Sequence, residues 1–327
     1  MRTLIVPCAG NRTINGLPLF LNRHPDGTLL AKKVVEGIFP EKYDRIIYAV
    51  IKEVNEKYEA EKIISNELGK TFLIETAEIP AHTSGPAETV YLTLQQCNVD
   101  GAFAVKDSHI YINIAPFDCD NFVAGLDLTD FDRTIEDLRS KSFIVLNEQN
   151  QITDIIEKRF RSDVISAGLY GFKKASDFCF AYEKLSNGGY PIKKLYLSHI
   201  ISYLIGYKQR IFHSIKTTGF EEYGTPNTWA AVQKRYATCF LDIDAIFCTG
   251  EESEYSNQDI ELLKKISKNG TKLVAYTSLG KDKADDILNM LKDNDILCQQ
   301  VVYGCSFSSV KTIISDREDL KSMTIGV

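Results

Sequence analysis

The strongest constraint on this chain is the alternation, over its first 110 residues, of short apolar runs with longer amphipathic segments. Residues 3–7 read as a strand, and 29–39 follow with helical apolar spacing after a polar loop. Residues 45–51 (RIIYAVI) are a second apolar strand and 55–68 a charged amphipathic helix. Residues 72–75, 87–96 and 101–106 continue the order as strand, helix and strand. Repeated strand–helix–strand units predict an α/β fold, a mostly parallel Rossmann-like sheet with helices on both faces. Ligands on such sheets sit at the carboxyl ends of the strands, so the residues after each strand carry the functional information.

From about Lys141 the pattern changes to shorter strands at 142–146, 152–157 and 164–172, then a helix at 195–207 and a strand at 211–215. A second alternating unit opens at 239–243 and continues as helix 259–267, strand 272–276, helix 281–292 and strand 311–314. The chain has 327 residues, enough for roughly two domains at about 150 residues each. The expected division is 1–236 and 237–327, and no Pro/Gly/Ser-rich linker marks it, so the two are expected to pack closely. With 38 basic and 44 acidic residues the net charge is −6, which argues against general nucleic-acid binding but leaves room for a small anion held locally.

No apolar run approaches the roughly 18 residues of a membrane span, and the first seven residues read as a strand rather than a signal peptide. The eight cysteines form no C-x-x-C pair, which fits reduced thiols and a cytoplasmic protein. A homodimer is compatible with this reading.

Six segments stand in a telling order. Pro7-Cys8-Ala9-Gly10-Asn11-Arg12 follows the first strand, where a glycine turn can bring backbone N–H groups against phosphate. Thr83-Ser84-Gly85-Pro86-Ala87-Glu88 opens a helix, with Pro86 suited to its first turn. Lys106-Asp107-Ser108 ends an apolar strand, Ile156-Glu157-Lys158 ends another, and Gly168 lies in Ala167-Gly168-Leu169-Tyr170. Glu221-Glu222-Tyr223-Gly224-Thr225-Pro226 comes last. Individually each has a plain reading: Asp107 as a turn or helix cap, Glu157-Lys158 as a solvated pair, Tyr223–Pro226 as a turn, His109 as a satisfied polar residue. Asp118-Cys119-Asp120 imitates a D-x-D metal motif, but it follows Pro116 in a polar loop and reads as a turn.

The ordered series resembles the sugar-phosphate nucleotidyltransferases, of GT-A-like Rossmann fold, over about residues 1–236. The resemblance implies that Ala9, Gly10, Asn11 and Arg12 form the nucleotide-phosphate loop and that Ser84 and Gly85 lie beside the base. It implies Asp107 and Glu222 as holders of Mg²⁺, with Glu222 in place of the family's second aspartate. Glu157 and Lys158 would contact the acceptor and its phosphate, and the acceptor would pack on Gly168. Two departures stand out: the loop lacks the second glycine before its arginine, and Pro18 is followed by Leu19 instead of a lysine. Arg23 and Lys32 are the candidates to supply that missing charge.

In the second region, Cys239–Asp244 is an apolar strand ending in two carboxylates spaced by one residue. Such a pair can divide labour, Asp242 as nucleophile and Asp244 as general acid and base. Thr277-Ser278 and Ser315-Asp316 follow later strands. This order resembles the haloacid-dehalogenase (HAD) phosphatases in a capless form, which implies Asp242 and Asp316 as Mg²⁺ ligands. Ala245-Ile246 depart from the family's Gly-Thr, and Lys311 is the nearest lysine to the expected place.

The expected function is transfer of a nucleotide, from CTP or UTP, to a phosphorylated sugar or polyol with release of pyrophosphate, for capsule or surface polysaccharide precursors. The alternatives are a phosphatase whose first domain only binds nucleotide, and a non-catalytic nucleotide-binding scaffold.

Overall fold

Thr3-Leu4-Ile5-Val6 offers no polar alternation, so a strand built from it must be covered on both faces, and all four residues are buried. In the computed structural model, which describes residues 2–14, 16–130, 135, 138–188, 194–236, 238–244, 257–268 and 272–304, this run is the strand around which the first sheet is built.

The elements of the first unit begin with β1 (Thr3–Pro7), β2 (Thr13–Ile14), β3 (Leu17–Pro18), α1 (Leu30–Lys33) and β4 (Arg45–Ile51). Next come α2 (Lys52–Tyr58), α3 (Ala60–Leu68), β5 (Ile74–Ile79), α4 (Pro86–Gln96), β6 (Phe103–Lys106), β7 (Ile110–Ile114) and β8 (Phe122–Asp127). Then follow β9 (Ser142–Leu146), β10 (Ile152–Glu157), β11 (Val164–Phe172), α5 (Ala175–Asn187), α6 (Leu197–Lys208), β12 (His213–Glu222) and α7 (Pro226–Tyr236). The sheet order is β5-β4-β1-β6-β11-β8-β12-β7, with β9 on β11 and β10 on β9. The half β5-β4-β1-β6 is parallel throughout. β11 enters antiparallel to β6 and β8. α4, α5 and α6 bury Val90, Leu94, Phe178, Ala181, Ile200 and Leu204 in one apolar cluster with Ile5, Ile47, Val105 and Phe172.

The single helix expected over 55–68 is two. The chain breaks at Glu59, φ 51°, where the Asn55 side chain accepts from the Glu61 N–H at 2.9 Å and donates to Glu78 at 2.8 Å. The helix expected over 29–39 is one turn, α1. Gly37, φ +70°, lies so close to Asn113 and the Ile112 carbonyl that any side chain would collide, and its own carbonyl accepts from the Ile114 N–H at 3.1 Å. β7, β8 and α5 are elements that apolar spacing did not reveal. The strand expected over 211–215 runs on as β12 to Glu222.

The chain divides between Trp229 and Ala230, inside α7. In the second unit β13 (Thr238–Asp242), α8 (Asn257–Lys268), β14 (Lys272–Thr277), α9 (Lys281–Asp293) and β15 (Cys298–Tyr303) form a parallel sheet of order β13-β14-β15 with its helices. Leu241, Ile243, Leu263, Leu273, Ala275 and Leu291 make its core. Apolar spacing missed β15, and the strand expected over 311–314 lies outside the described residues. Among the described residues no helix is long and apolar enough to cross a membrane.

Candidate active site

β6 carries the chain to Asp107 at the carboxyl edge of the sheet. One residue earlier Lys106 is fully buried. Its ammonium donates to the carbonyls of Ile110 at 2.5 Å, Asp107 at 3.2 Å and Gly168 at 3.4 Å. Burial pushes this lysine down to about 7, with the neighbouring Asp107 acting the other way. Opposite, the β11–β8 register shifts between Ser166 and Tyr170, a bulge of the kind that re-aims a strand beside a site. Gly168 occupies it at φ +79°, and a Cβ there would lie 2.8 Å from Asp107 Oδ2 and 3.1 Å from Ile110 Cδ1. The Gly168 carbonyl accepts from the Asp107 N–H at 2.8 Å. Burial holds the Asp107 carboxyl above its ordinary range, against the pull of Lys106, Arg12 and Lys141, while Glu157 adds to the rise.

The next strand ends bring Glu157 and Lys158 to the same edge. Glu157 Oε2 accepts from Ser142 Oγ at 2.5 Å and Ser198 Oγ at 2.6 Å, so it is anchored by β9 and by the start of α6. Lys158 turns out of β10 with φ +56°. Its ammonium donates to the Tyr196 hydroxyl at 2.6 Å and lies 4.4 Å from that ring's centroid. Its N–H donates to the Lys141 carbonyl at 2.9 Å. Lys141 is only 7% exposed, and its ammonium is 2.6 Å from Glu222 Oε1 at the end of β12. Gly85, before α4, approaches Leu195 so closely that a Cβ would lie 2.6 Å from its carbonyl oxygen. Ser84 and Gly85 therefore adjoin the segment that leads to Tyr196.

The loop after β1 closes the ring. Ala9 is buried, whereas Gly10 faces open space and Asn11 and Arg12 are exposed. The Ser108 hydroxyl hydrogen-bonds the Cys8 thiol, whose pKa burial raises, so this loop is tied to the one carrying Asp107. A Cβ on Gly224 would meet His109 Cδ2 at 2.8 Å and Arg12 Cζ at 3.5 Å, so this glycine lets ring and guanidinium approach the end of β12. Burial, with Arg12, Lys141 and Lys106 adding to it, drives the His109 pKa far down. Arg23 is directed elsewhere, to Glu67 at 2.9 Å and the Gly27 carbonyl at 2.8 Å. Asp120 pairs with Arg2 at 2.8 Å, at the opposite end of β1 from Asp107.

The cation expected on Asp107 and Glu222 meets a specific obstacle. An ammonium lies 2.6 Å from Glu222 Oε1, one of the two carboxylate oxygens, and puts a fixed positive charge where a cation on Glu222 would sit. Among the described residues no three His, Cys, Asp or Glu side chains cluster as a metal cage. As a two-carboxylate holder the pair does not fit Mg²⁺.

In the second unit, Asp242 ends β13 and Asp244 follows it. Asp244 accepts from Thr277 Oγ1 at 2.5 Å and from the Ser278 N–H at 2.7 Å. Although burial works against it, these bonds from Ser278 and Thr277 lower the Asp244 carboxyl. Asp316, Lys311, Ala245 and Ile246 lie outside the described residues.

Sequence reasoning missed Lys106, Lys141, Ser142, Tyr196 and Ser198. The one signal for Lys106 was a lysine closing an otherwise apolar run, FAVK; Lys141 reads in sequence as an ordinary charge before a strand.

Neither a protein-family model nor a curated protein matches the sequence. Solved structures do match the fold. The nucleoside-diphosphate-sugar pyrophosphorylase from Vibrio cholerae superposes with a TM-score of 0.59 at 17% identity, covering 71% of this chain and 99% of that one. The inositol-1-phosphate CTP transferase from T. maritima gives 0.55 at 16%, covering 70% and 91%. The CTP:phosphocholine cytidylyltransferase from Streptococcus pneumoniae gives 0.54 at 15%, covering 71% and 98%. At these identities what is shared is the fold.

Proposed function

We propose that the first unit transfers a nucleotide from a nucleoside triphosphate to a phosphorylated small molecule, releasing pyrophosphate. The observation that carries this reading is the convergence, at one sheet edge, of Asp107 backed by Gly168 with Glu157-Lys158 and the Cys8–Arg12 loop. A phosphate oxygen of the acceptor attacks the α-phosphorus, an oxygen–phosphorus bond forms, and the bond to the β-phosphate oxygen breaks. Charge spreads over phosphoryl oxygens in such transfers, so positioning and fixed positive charge do most of the catalysis. Arg12 on the exposed loop lies toward the triphosphate. Lys158, steadied by Tyr196, lies toward the acceptor phosphate. Glu157, held by Ser142 and Ser198, has an oxygen left to accept from an acceptor hydroxyl.

CTP or UTP is the favoured donor and a sugar or polyol phosphate the favoured acceptor, for surface polysaccharide precursors; two of the structural neighbours are CTP enzymes by name. The need for nucleoside triphosphate implies a cytoplasmic setting. The test is a pyrophosphate-release screen of four nucleoside triphosphates against phosphorylated sugars, polyols and choline. Asp107→Asn and Lys158→Ala should both cut the signal found by about 10²-fold or more. Release unchanged in both variants would refute the assignment.

A second activity rests on the Asp244–Thr277–Ser278 cluster beside Asp242: a HAD-type phosphatase in the second unit. Asp242→Asn should stop hydrolysis of p-nitrophenyl phosphate and leave pyrophosphate release intact, and Asp107→Asn should do the reverse. A wild-type protein that hydrolyses no phosphate ester removes this second reading.

A further inference from the structure

We propose that Lys141 is a built-in counter-ion of the site, a positioning residue that withholds Glu222 from metal binding, so that a divalent cation here rests on Asp107 and substrate phosphate. This rests on the nucleotidyltransferase reading and narrows it. The geometry is specific. Lys141 immediately precedes β9, its side chain is 7% exposed, and its ammonium lies 2.6 Å from Glu222 Oε1. It also acts electrostatically on Asp107 and His109, so its charge serves both sides of the site. Its backbone is fixed as well: the Lys141 carbonyl receives the Lys158 N–H at 2.9 Å, and the Lys141 N–H donates to the Leu138 carbonyl at 3.1 Å. The next residue, Ser142, holds Glu157.

Physical chemistry sets the competition. Mg²⁺ binds near-ideal octahedral oxygen sets and keeps several waters, using one or two carboxylates plus phosphate. A buried ammonium on one carboxylate is not readily displaced, since breaking such a pair leaves an uncompensated buried charge. The site therefore carries one permanent protein cation beside Glu222 and takes at most a loosely held metal ion at Asp107.

The test uses the full chain carrying Asp242→Asn throughout, which removes the carboxylate expected to hold a cation in the second unit, and Mn²⁺ alone, with no nucleotide and no turnover, so its outcome is separate from that of the pyrophosphate screen. Free Mn²⁺ is counted by electron paramagnetic resonance. Quenching of the single tryptophan, Trp229, provides a local check, because its ring centroid lies 6.0 Å from that of Tyr223, the neighbour of Glu222. Lys141→Met should tighten Mn²⁺ at least tenfold by releasing Glu222. The pair Lys141→Met with Glu222→Gln keeps the position neutral and similar in volume, which protects folding, and should bind Mn²⁺ within threefold of wild type. Asp107→Asn should lose binding. A tenfold or greater loss in the double variant would show that Glu222 is a ligand and overturn the proposal. So would binding that Asp107→Asn leaves intact, or equal affinity in wild type and a folded Lys141→Met.

Discussion

Gly168→Ala tests whether the fold itself demands a glycine beside Asp107. At φ +79° an added methyl places the residue in the left-handed region, and its Cβ sits 2.8 Å from Asp107 Oδ2, 3.0 Å from Asp107 Cβ and 3.1 Å from Ile110 Cδ1. The left-handed conformation costs about 1–2 kcal/mol for a residue with a side chain. Crowding in a packed interior adds about 1–3 kcal/mol. Together these give about 2–5 kcal/mol, or a fall of about 4–20 °C in the melting transition of a unit of this size. The Asp107 carboxylate is the group with freedom to move away, so pyrophosphate release should fall more than stability alone explains. Gly10→Ala is the control: nothing lies within 4 Å of its Cβ and its φ is ordinary, so its melting should stay within about 2 °C of wild type. Calorimetry of both variants, followed by pyrophosphate release at a temperature where each is folded, makes the comparison. A Gly168→Ala protein that melts with the wild type would refute the argument from bulge and close contact.

Lys158 stands at φ +56°, so Lys158→Gly should melt about 2–8 °C above Lys158→Ala, while both lose pyrophosphate release by about 10²–10³-fold; equal melting would deny the backbone strain. Lys106 has a folded pKa of about 7 against an ordinary 10.5. The unfolded chain thus binds the extra proton between these values, and wild-type stability rises with pH across that window and is level below it. Melting of wild type and Lys106→Met at pH 6, 8 and 9.5 should show the gap shifting toward wild type as pH rises, and a constant gap would reject the burial argument. Thr277→Val removes one donor to Asp244 and should raise the Asp244 pKa, read by NMR titration; an unmoved titration would mean that this bond contributes nothing.

The sequence by itself determined the strands rich in residues that had to be buried. The runs at 3–7, 45–51 and 164–172 are buried almost throughout and appear where apolar content placed them, because a long apolar segment has no soluble alternative; those at 142–146 and 152–157 also appear, buried at only some positions. It also marked Asp107 and Glu157-Lys158 as strand-end residues, since polar groups directly after buried strands emerge at one sheet edge. β7 keeps an unbroken buried face of Ile110, Ile112 and Ile114, with Asn113 exposed on the other side, but its pairing with β12 is made across a long separation in the chain and was not legible. Nor could the break at Glu59 be read, as it depends on what Asn55 finds on β5. Tertiary structure alone decided the charges. Lys106 and Lys141 look in sequence like many exposed lysines, yet one is sealed under three carbonyls and the other is paired with Glu222. Whether a charge is solvated or buried depends on which strands come to cover it, and those pairings join residues that local patterning never compares.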